Sequence, residues 1–284
     1  MITDLIPGPQ VCQPPSRLAM GAAHRNLIGL SEQHRPIICL PRGRVGASVK
    51  VLIFAGQHGD ERPARRTVRA FIDQPPEEVA GRLPHLQLAV IPEANPDGCA
   101  VRSRCNAMGI DLNRDHQLLF SAETAALHRF VRQWQPHLIL DLHSYPSRRR
   151  HLLEQNVVLD HDVFMDVPNH PAILARPACA RADEVLRGLL RAIAARDVCA
   201  DRYTIVKASG RARHSTADVV DARNGLALRY GVFTILVENR QPRREETPDE
   251  RLRLRAAQDC ALWAILDWLD HNHDLFPSMN ASNR

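Results

Sequence analysis

The chain has 284 residues, a formal net charge of +5 at neutral pH and a hydrophobic share of 44%. That length suits one large α/β domain or two small ones, and the apolar share supplies a full core, which excludes a disordered or low-complexity protein. No apolar run approaches the ~18 residues of a membrane span, so no membrane partner is expected. Only Lys50 and Lys207 are lysines among the 37 basic residues. Basic runs such as "SRRRH" (147–151) and "QPRREE" (241–246) raise nucleic acid as a partner. They lack aromatic interleaving and any nucleic-acid motif, which disfavours it. A solvated arginine face is the plainer reading, and arginine forks that bind a carboxylate are another. The seven cysteines are scattered without a CxxC pair, and the opening stretch lacks a basic region followed by an apolar one. The expectation is free thiols, no secretory signal and a cytoplasmic setting.

Short apolar segments rich in β-branched residues alternate with helical patterns. "SVKVLIFAG" (48–56) reads as a buried strand and "RPARRTVRAFID" (62–73) as a helix. "LQLAVIPEAN" (86–95) is a second strand, "SAETAALHRFVRQW" (121–134) a helix and "HLILDLHSY" (137–145) a third strand, with His143 expected at its end. Residues 147–178 carry Pro and His with weak periodicity and read as a long loop excursion. "CARADEVLRGLLRAIAAR" (179–196) is helical, and "VFTILVEN" (232–239) is a fourth strand. A last helix opens at Thr247, with Pro248 in its first turn and Glu250 completing a capping box. Leu252, Ala256, Leu262, Ile265, Leu266 and Leu269 are its expected apolar face. Near-continuous apolar strands imply a sheet covered on both faces. The sum is a single α/β domain over residues 1–284, with a mixed, mostly parallel central sheet flanked by helices.

In such sheets ligands bind beyond the carboxyl ends of the strands. Four polar groups sit there: His58 with Glu61 in "QHGDERP", the segment 95–116, His143 in "DLHSY", and Glu238. A His and a Glu separated by two residues, with a distant His, is a ligand set for zinc, which leaves a fourth position for water. Taken alone, "HGDE" is equally a surface turn in which Glu61 opens a helix, where its charge suits the dipole. The segment "RCNAMGIDLNR" (104–114) is more specific, because it gathers Arg104, Asn106, Asp111, Asn113 and Arg114 within eleven residues.

With "HGDE", "NPDG" (95–98), "RCNAMGIDLNR", "HSY" (143–145), "KASG" (207–210) and Glu238 in this order, the chain resembles the zinc carboxypeptidases typified by carboxypeptidase A. It lies near their murein peptide amidase and succinylglutamate desuccinylase/aspartoacylase branches. The resemblance implies the zinc carboxypeptidase-like fold and one zinc ion per chain, held by His58, Glu61 and His143. It implies Asp111 as the carboxylate that orients the first histidine, Arg104 as the group that meets the oxyanion, and Glu238 as the general base. Asn113 and Arg114 would grip a free carboxylate of the substrate, with Tyr145 beside them. The expected partner is a small peptide or N-acyl amino acid. The resulting activity is a metallocarboxypeptidase-like amide hydrolysis. N-acyl amino acid deacylation and murein peptide amidation are alternatives, and a zinc-containing carboxylate-binding module is the non-enzymatic one. The family's mobile tyrosine is replaced by Val206, with Tyr203 three residues earlier. Arg211, Arg213, His214 and Arg223 are candidates to face an acidic group of the substrate. A competing role for Glu238 is a strand-end ion pair with Arg240.

Overall fold

Alternation along the central strands divides the core between two faces. In the computed structural model, which describes residues 25–146, 161–168, 180–206, 212–214 and 222–276, β3 (Val49–Ala55) sends Val51, Ile53 and Ala55 to one face and Leu52 and Phe54 to the other. Each side chain removed from water in this way is worth about 1.5–3 kcal/mol, so both faces must be covered. On the first face lie α1 (Arg62–Ile72), α5 (Ala182–Ala194) and α7 (Pro248–His271), through Val68, Phe71, Leu189, Ile265 and Leu269. On the second lie α4 (Ala122–Trp134) and α6 (Ala222–Tyr230), through Ala126, Phe130 and Leu226.

The main sheet has eight strands. Besides β3 these are β1 (Asn26–Leu30), β2 (Pro36–Gly43), β4 (Leu86–Ile91), β5 (Leu138–Tyr145), β6 (Val163–Asp166), β7 (Ala200–Arg202) and β10 (Phe233–Arg240). Their order is β1-β2-β4-β3-β5-β10-β6-β7, with β8 (Thr204–Val206) and β9 (Ala212–His214) paired separately. Four neighbouring pairs are parallel, namely β4/β3, β3/β5, β5/β10 and β6/β7, and the others are antiparallel. The expected mixed, mostly parallel sheet is therefore observed. Short helices α2 (Pro76–Arg82) and α3 (Pro96–Val101) and a single 3-10 turn, Leu112–Arg114, complete the described elements.

Two expectations change. The excursion 147–178 contains strand β6, which pairs antiparallel with β10 from Leu236↔Asp166 to Asn239↔Val163; residues 147–160 and 169–178 lie outside the described residues. Four residues are too few to show a period. In α7 the capping box at Thr247 and Glu250 forms as read, but Leu252 is exposed and so is Ala256. The inward stripe starts instead at Leu254 and runs through Gln258, Ala261 and Leu262. Strand β2, which the sequence pattern did not announce, carries Pro41. Its first half pairs with β1 and its second half with β4, so Pro41 never needs an N–H on both sides.

Where α5 crosses α7, a Cβ on Gly188 would lie 2.4 Å from a ring carbon of Trp268. Gly188→Ala should lower stability by about 1–3 kcal/mol in urea denaturation. Gly81→Ala, in α2 with open space around it, should raise it by about 0.5–1 kcal/mol. Equal effects would mean that the α5/α7 crossing is not tightly packed.

Candidate metal centre

Strands β3, β5 and β10 run parallel, so their carboxyl ends share one edge of the sheet. His58 follows β3 by three residues. His143 lies within β5 rather than at its end, because the strand continues to Tyr145. Glu238 is the direct register partner of His143 on β10. Parallel register neighbours project to the same face, so their side chains stand side by side.

The "NPDG" segment holds the first of these loops in shape. Asn95 caps α3 by accepting from the Gly98 N–H at 2.8 Å, and its Nδ2 donates to the Gln57 carbonyl at 3.0 Å. Asp97 accepts from Ser31 Oγ, the Gln33 N–H and Arg35, at 2.7, 2.9 and 2.7 Å. Gly59 packs so closely that a Cβ there would fall 2.0 Å from the Gly98 carbonyl carbon. Gly98 has no room for a Cβ for a different reason, with Asn95 Nδ2 at 2.5 Å and the Cys105 carbonyl oxygen at 2.7 Å, and the motif is scaffold rather than chemistry.

His58, Glu61 and His143 converge. His58 Nδ1 is 2.6 Å from Glu61 Oε1, and His143 Nδ1 is 3.0 Å from Glu61 Oε2 and 3.2 Å from His58 Nδ1. Among the described residues these three form the group that could hold a metal ion. Their outer atoms are held as well. His58 Nε2 donates to Asp111 Oδ1 at 3.0 Å, and His143 Nε2 to Asp141 Oδ1 at 3.2 Å. Each outer bond leaves an Nδ1 pointing inward, which is how carboxylates prepare imidazoles to ligate. Lone pairs crowded this closely on carboxylate and imidazole need a positive centre among them, so the donor set fits a divalent cation. The Ser144 N–H donates to Glu61 Oε2 at 2.8 Å and fixes the carboxylate.

The pairing of these imidazoles with carboxylates dominates the electrostatics. Burial opposes charge on His143, but Asp141 and Glu61 outweigh it and raise its pKa well above the usual range. Burial also opposes charge on His58, yet Asp111 and Glu61 raise it. Glu61 is buried, and the two imidazoles nevertheless pull it down to about 2. Asp111 is lowered too: His58 and Arg104 overcome its burial. Burial, with Glu61 adding to it against the pull of His143, pushes Glu238 up to about 7. Its Oε2 is shut off from water with no hydrogen-bond partner.

Residues 47–168 match the model of the succinylglutamate desuccinylase/aspartoacylase catalytic domain. A probable carboxypeptidase 2 of Arthroderma benhamiae is 25% identical over 119 residues, covering 41% of this chain and 23% of that protein. The metallo-carboxypeptidase structure from Burkholderia cenocepacia superposes with a TM-score of 0.66 at 20% identity, over 89% of this chain and 66% of the other. The chain has the zinc carboxypeptidase-like fold. The murein-tripeptide amidase MpaA from Escherichia coli O157 shares it, with a TM-score of 0.55 at 18% identity over 91% and 96% of the two chains. The resemblance read from the sequence therefore holds, although the matched stretch spans less than a quarter of the curated relative's length and the chain under two thirds of the Burkholderia structure.

On this zinc carboxypeptidase-like frame the remaining sequence candidates can be placed. Arg104 donates to Asp111 Oδ2 at 3.0 Å and approaches His58 Nδ1 at 3.3 Å, with about half of its side chain exposed above the ligands. Asn113 turns its Oδ1 to the Ala222 N–H at 2.8 Å, while Arg114 is exposed. Tyr145 is buried, and its hydroxyl donates to the His161 carbonyl. Tyr203 is largely buried; burial, then the charges of Glu238 and Glu61, push its hydroxyl pKa upward, which places the phenol within electrostatic reach of the ligands. Arg223 does not face a ligand. It is buried and paired with Asp166 of β6, because it lies on the inner side of α6. Arg240 pairs with Glu246, which removes the competing role for Glu238. Residues 207–211 lie outside the described residues, as do the side chains of Val206, Arg213 and His214.

Sequence reasoning missed Asp141, Gln57, His116 and His128. Asp141 was within reach, since it precedes His143 by two positions and a strand puts such residues on one face. Gln57 Nε2 donates to Asp141 Oδ1 at 2.9 Å, and His116 Nε2 meets Gln57 Oε1 at 2.7 Å. His128 sits on α4, where a histidine reads as an ordinary helix residue. Burial lowers its pKa to about 4, and burial with the neighbouring His128 drives His116 far down as well. Below pH ~6.5 the unfolded histidine takes up a proton that the folded one refuses. Stability from these groups is thus complete above pH ~6.5 and lost toward pH 4. The stability gap between wild type and His128→Gln should narrow by about 1.4 kcal/mol per unit across that window. A gap that stays constant in denaturant titrations would mean that His128 is charged in the fold.

Proposed function

We propose that the chain is a zinc-dependent hydrolase, with one zinc per chain on His58, Glu61 and His143, that cleaves an amide bond next to a free carboxylate in a small peptide. The observation that carries this is the convergence of two imidazole Nδ1 atoms and one carboxylate beside Glu238 Oε2, a buried acceptor with no partner. A bound zinc ion would supply a Lewis acid that lowers the pKa of a bound water toward ~7 and polarises a carbonyl. The side chains of the protein do the rest.

Glu238, poised near neutrality, takes the proton of the attacking water and returns it to the leaving amine. Arg104, held by Asp111 above the ligands, meets the carbonyl oxygen as charge grows on it. Arg114 is exposed and holds the Asn113 carbonyl through one guanidinium nitrogen at 2.8 Å, and its remaining N–H groups would meet a carboxylate. Asn113 keeps its Nδ2 for the same end, and together they fix the amide over the ligands. Tyr145 shapes the wall by anchoring the end of β5. The position of Tyr203 supports it as the stand-in for the tyrosine missing at Val206. The match over residues 47–168 favours a second reading, deacylation of an N-acyl amino acid, which uses the same machinery. Cys39, Cys99, Cys105 and Cys260 carry free thiols, which supports a cytoplasmic setting, and no helix among the described residues is long and apolar enough to cross a membrane.

Purified protein should contain close to one zinc per chain by elemental analysis. Glu238→Gln should keep that metal and lose turnover by about 10²–10⁴. A metal-free protein, or an active Glu238→Gln, sinks the assignment; zinc without hydrolysis of any C-terminal dipeptide, N-acyl amino acid or murein peptide would leave the carboxylate-binding module. Arg114→Ala should weaken KM for carboxylate-bearing substrates by about 10–100-fold and spare their amidated analogues. Equal losses on both would remove Arg114 from the clamp.

A further inference from the structure

Behind the metal ligands a line of buried polar groups leads away to the surface. His143 Nε2 and Gln57 Nε2 both approach Asp141 Oδ1, at 3.2 and 2.9 Å. Gln57 Oε1 faces His116 Nε2 at 2.7 Å, His116 Nδ1 faces His128 Nε2 at 3.0 Å, and His128 Nδ1 faces the Tyr230 hydroxyl at 2.9 Å. Asp141, His143, Gln57, His116 and His128 are all at most 2% exposed, whereas Tyr230, the last residue of α6, is partly exposed. None of the last three groups takes part in the proposed hydrolysis.

We propose that Tyr230, His128 and His116 are positioning residues which, acting through Gln57 and Asp141, hold His143 with its proton on Nε2 and its Nδ1 turned to the metal. This rests on the metal-binding reading above.

The direction of every bond follows from one fixed end. A carboxylate only accepts, so Gln57 must present its NH₂ to Asp141 and its Oε1 to His116. That oxygen only accepts, so the His116 proton sits on Nε2 and its Nδ1 carries a lone pair. His128 must then donate from Nε2, which leaves its own Nδ1 to accept from Tyr230. Each ring uses one N–H and one lone pair, as a neutral imidazole can, and burial keeps both rings neutral. The 3.1 Å between Gln57 Nε2 and His143 Nε2 is the spacing of two donors sharing one acceptor oxygen. From Asp141 to His128, reversing any link would set two lone pairs or two N–H groups face to face; the Tyr230 hydroxyl lies 2.9 Å from His128 Nδ1 and 3.4 Å from the His128 carbonyl, so the nearer nitrogen is its main acceptor. The line therefore has a single orientation, set at Asp141 and completed at Tyr230, and it holds Asp141 in place as the acceptor for His143.

The test uses the full chain. Long-range ¹H–¹⁵N spectra of the wild type should show His116 and His128 each protonated on Nε2 alone. Tyr230→Phe deletes the outermost donor. It should leave the His128 Nδ1 lone pair buried without its donor, loosen the line and weaken zinc binding, measured by chelator competition, about tenfold. An Nδ1–H form at either ring in the wild type, or a zinc Kd in Tyr230→Phe within about twofold of wild type, would overturn the proposal. A wild type that takes up no zinc defeats the metal reading instead, and the two ring tautomers then still judge the relay.

Discussion

Everything at this site depends on the parallel alignment of β3, β5 and β10. Three parallel strands bring their carboxyl ends to one edge, and register alone then sets His143 beside Glu238. No local feature of the sequence could bring residues 58, 61, 143 and 238 together. Hydrophobic burial on both faces of the sheet supplies the energy that holds those ends still. The buried hydrogen bonds of Asp111, Asp141 and Ser144 then convert a fixed backbone into fixed side-chain angles. An isolated buried carboxylate such as Glu61 would be costly, and the two imidazoles are what make it tolerable.

Much of this was legible beforehand, for identifiable reasons. The four central strands are long and nearly all apolar, so their pattern survives without tertiary information. The α7 cap is a local hydrogen-bond motif and was readable as such. His58, Glu61, His143 and Glu238 stood out because each lies in or just beyond a readable strand, and their order along the chain resembles that of a known family. The misses are equally physical. Strands β1, β2, β6 and β7 are short or interrupted, and pairing with longer neighbours defines them more than their own composition does. Leu252 looked inward only because a 3.6-residue period was extended half a turn too far. Gln57, His116 and His128 form a network whose members come from three separate segments, and no spacing announces them.

The arginine excess also takes on a different meaning in three dimensions. Arg65 and Arg69 share Glu93, Arg66 holds Asp259, Arg82 holds Asp267, and Arg223 holds Asp166. These pairs join helices to each other and to strands or loops. A planar guanidinium suits them, because it offers several fixed donors where a lysine offers a point charge. Much of the basic character that could have suggested a polyanion is thus spent internally, as cross-bracing between layers.

The contact between Gly59 and Gly98 constrains how this protein could be altered. Two loops separated by some forty positions meet backbone to backbone, with no room for a single methyl group between them. Neither can change its path without the other. Variation in selectivity, whether by natural drift or by laboratory evolution, therefore has to enter through the other walls of the cleft, while the two glycines and the histidine they support travel together as one unit of inheritance.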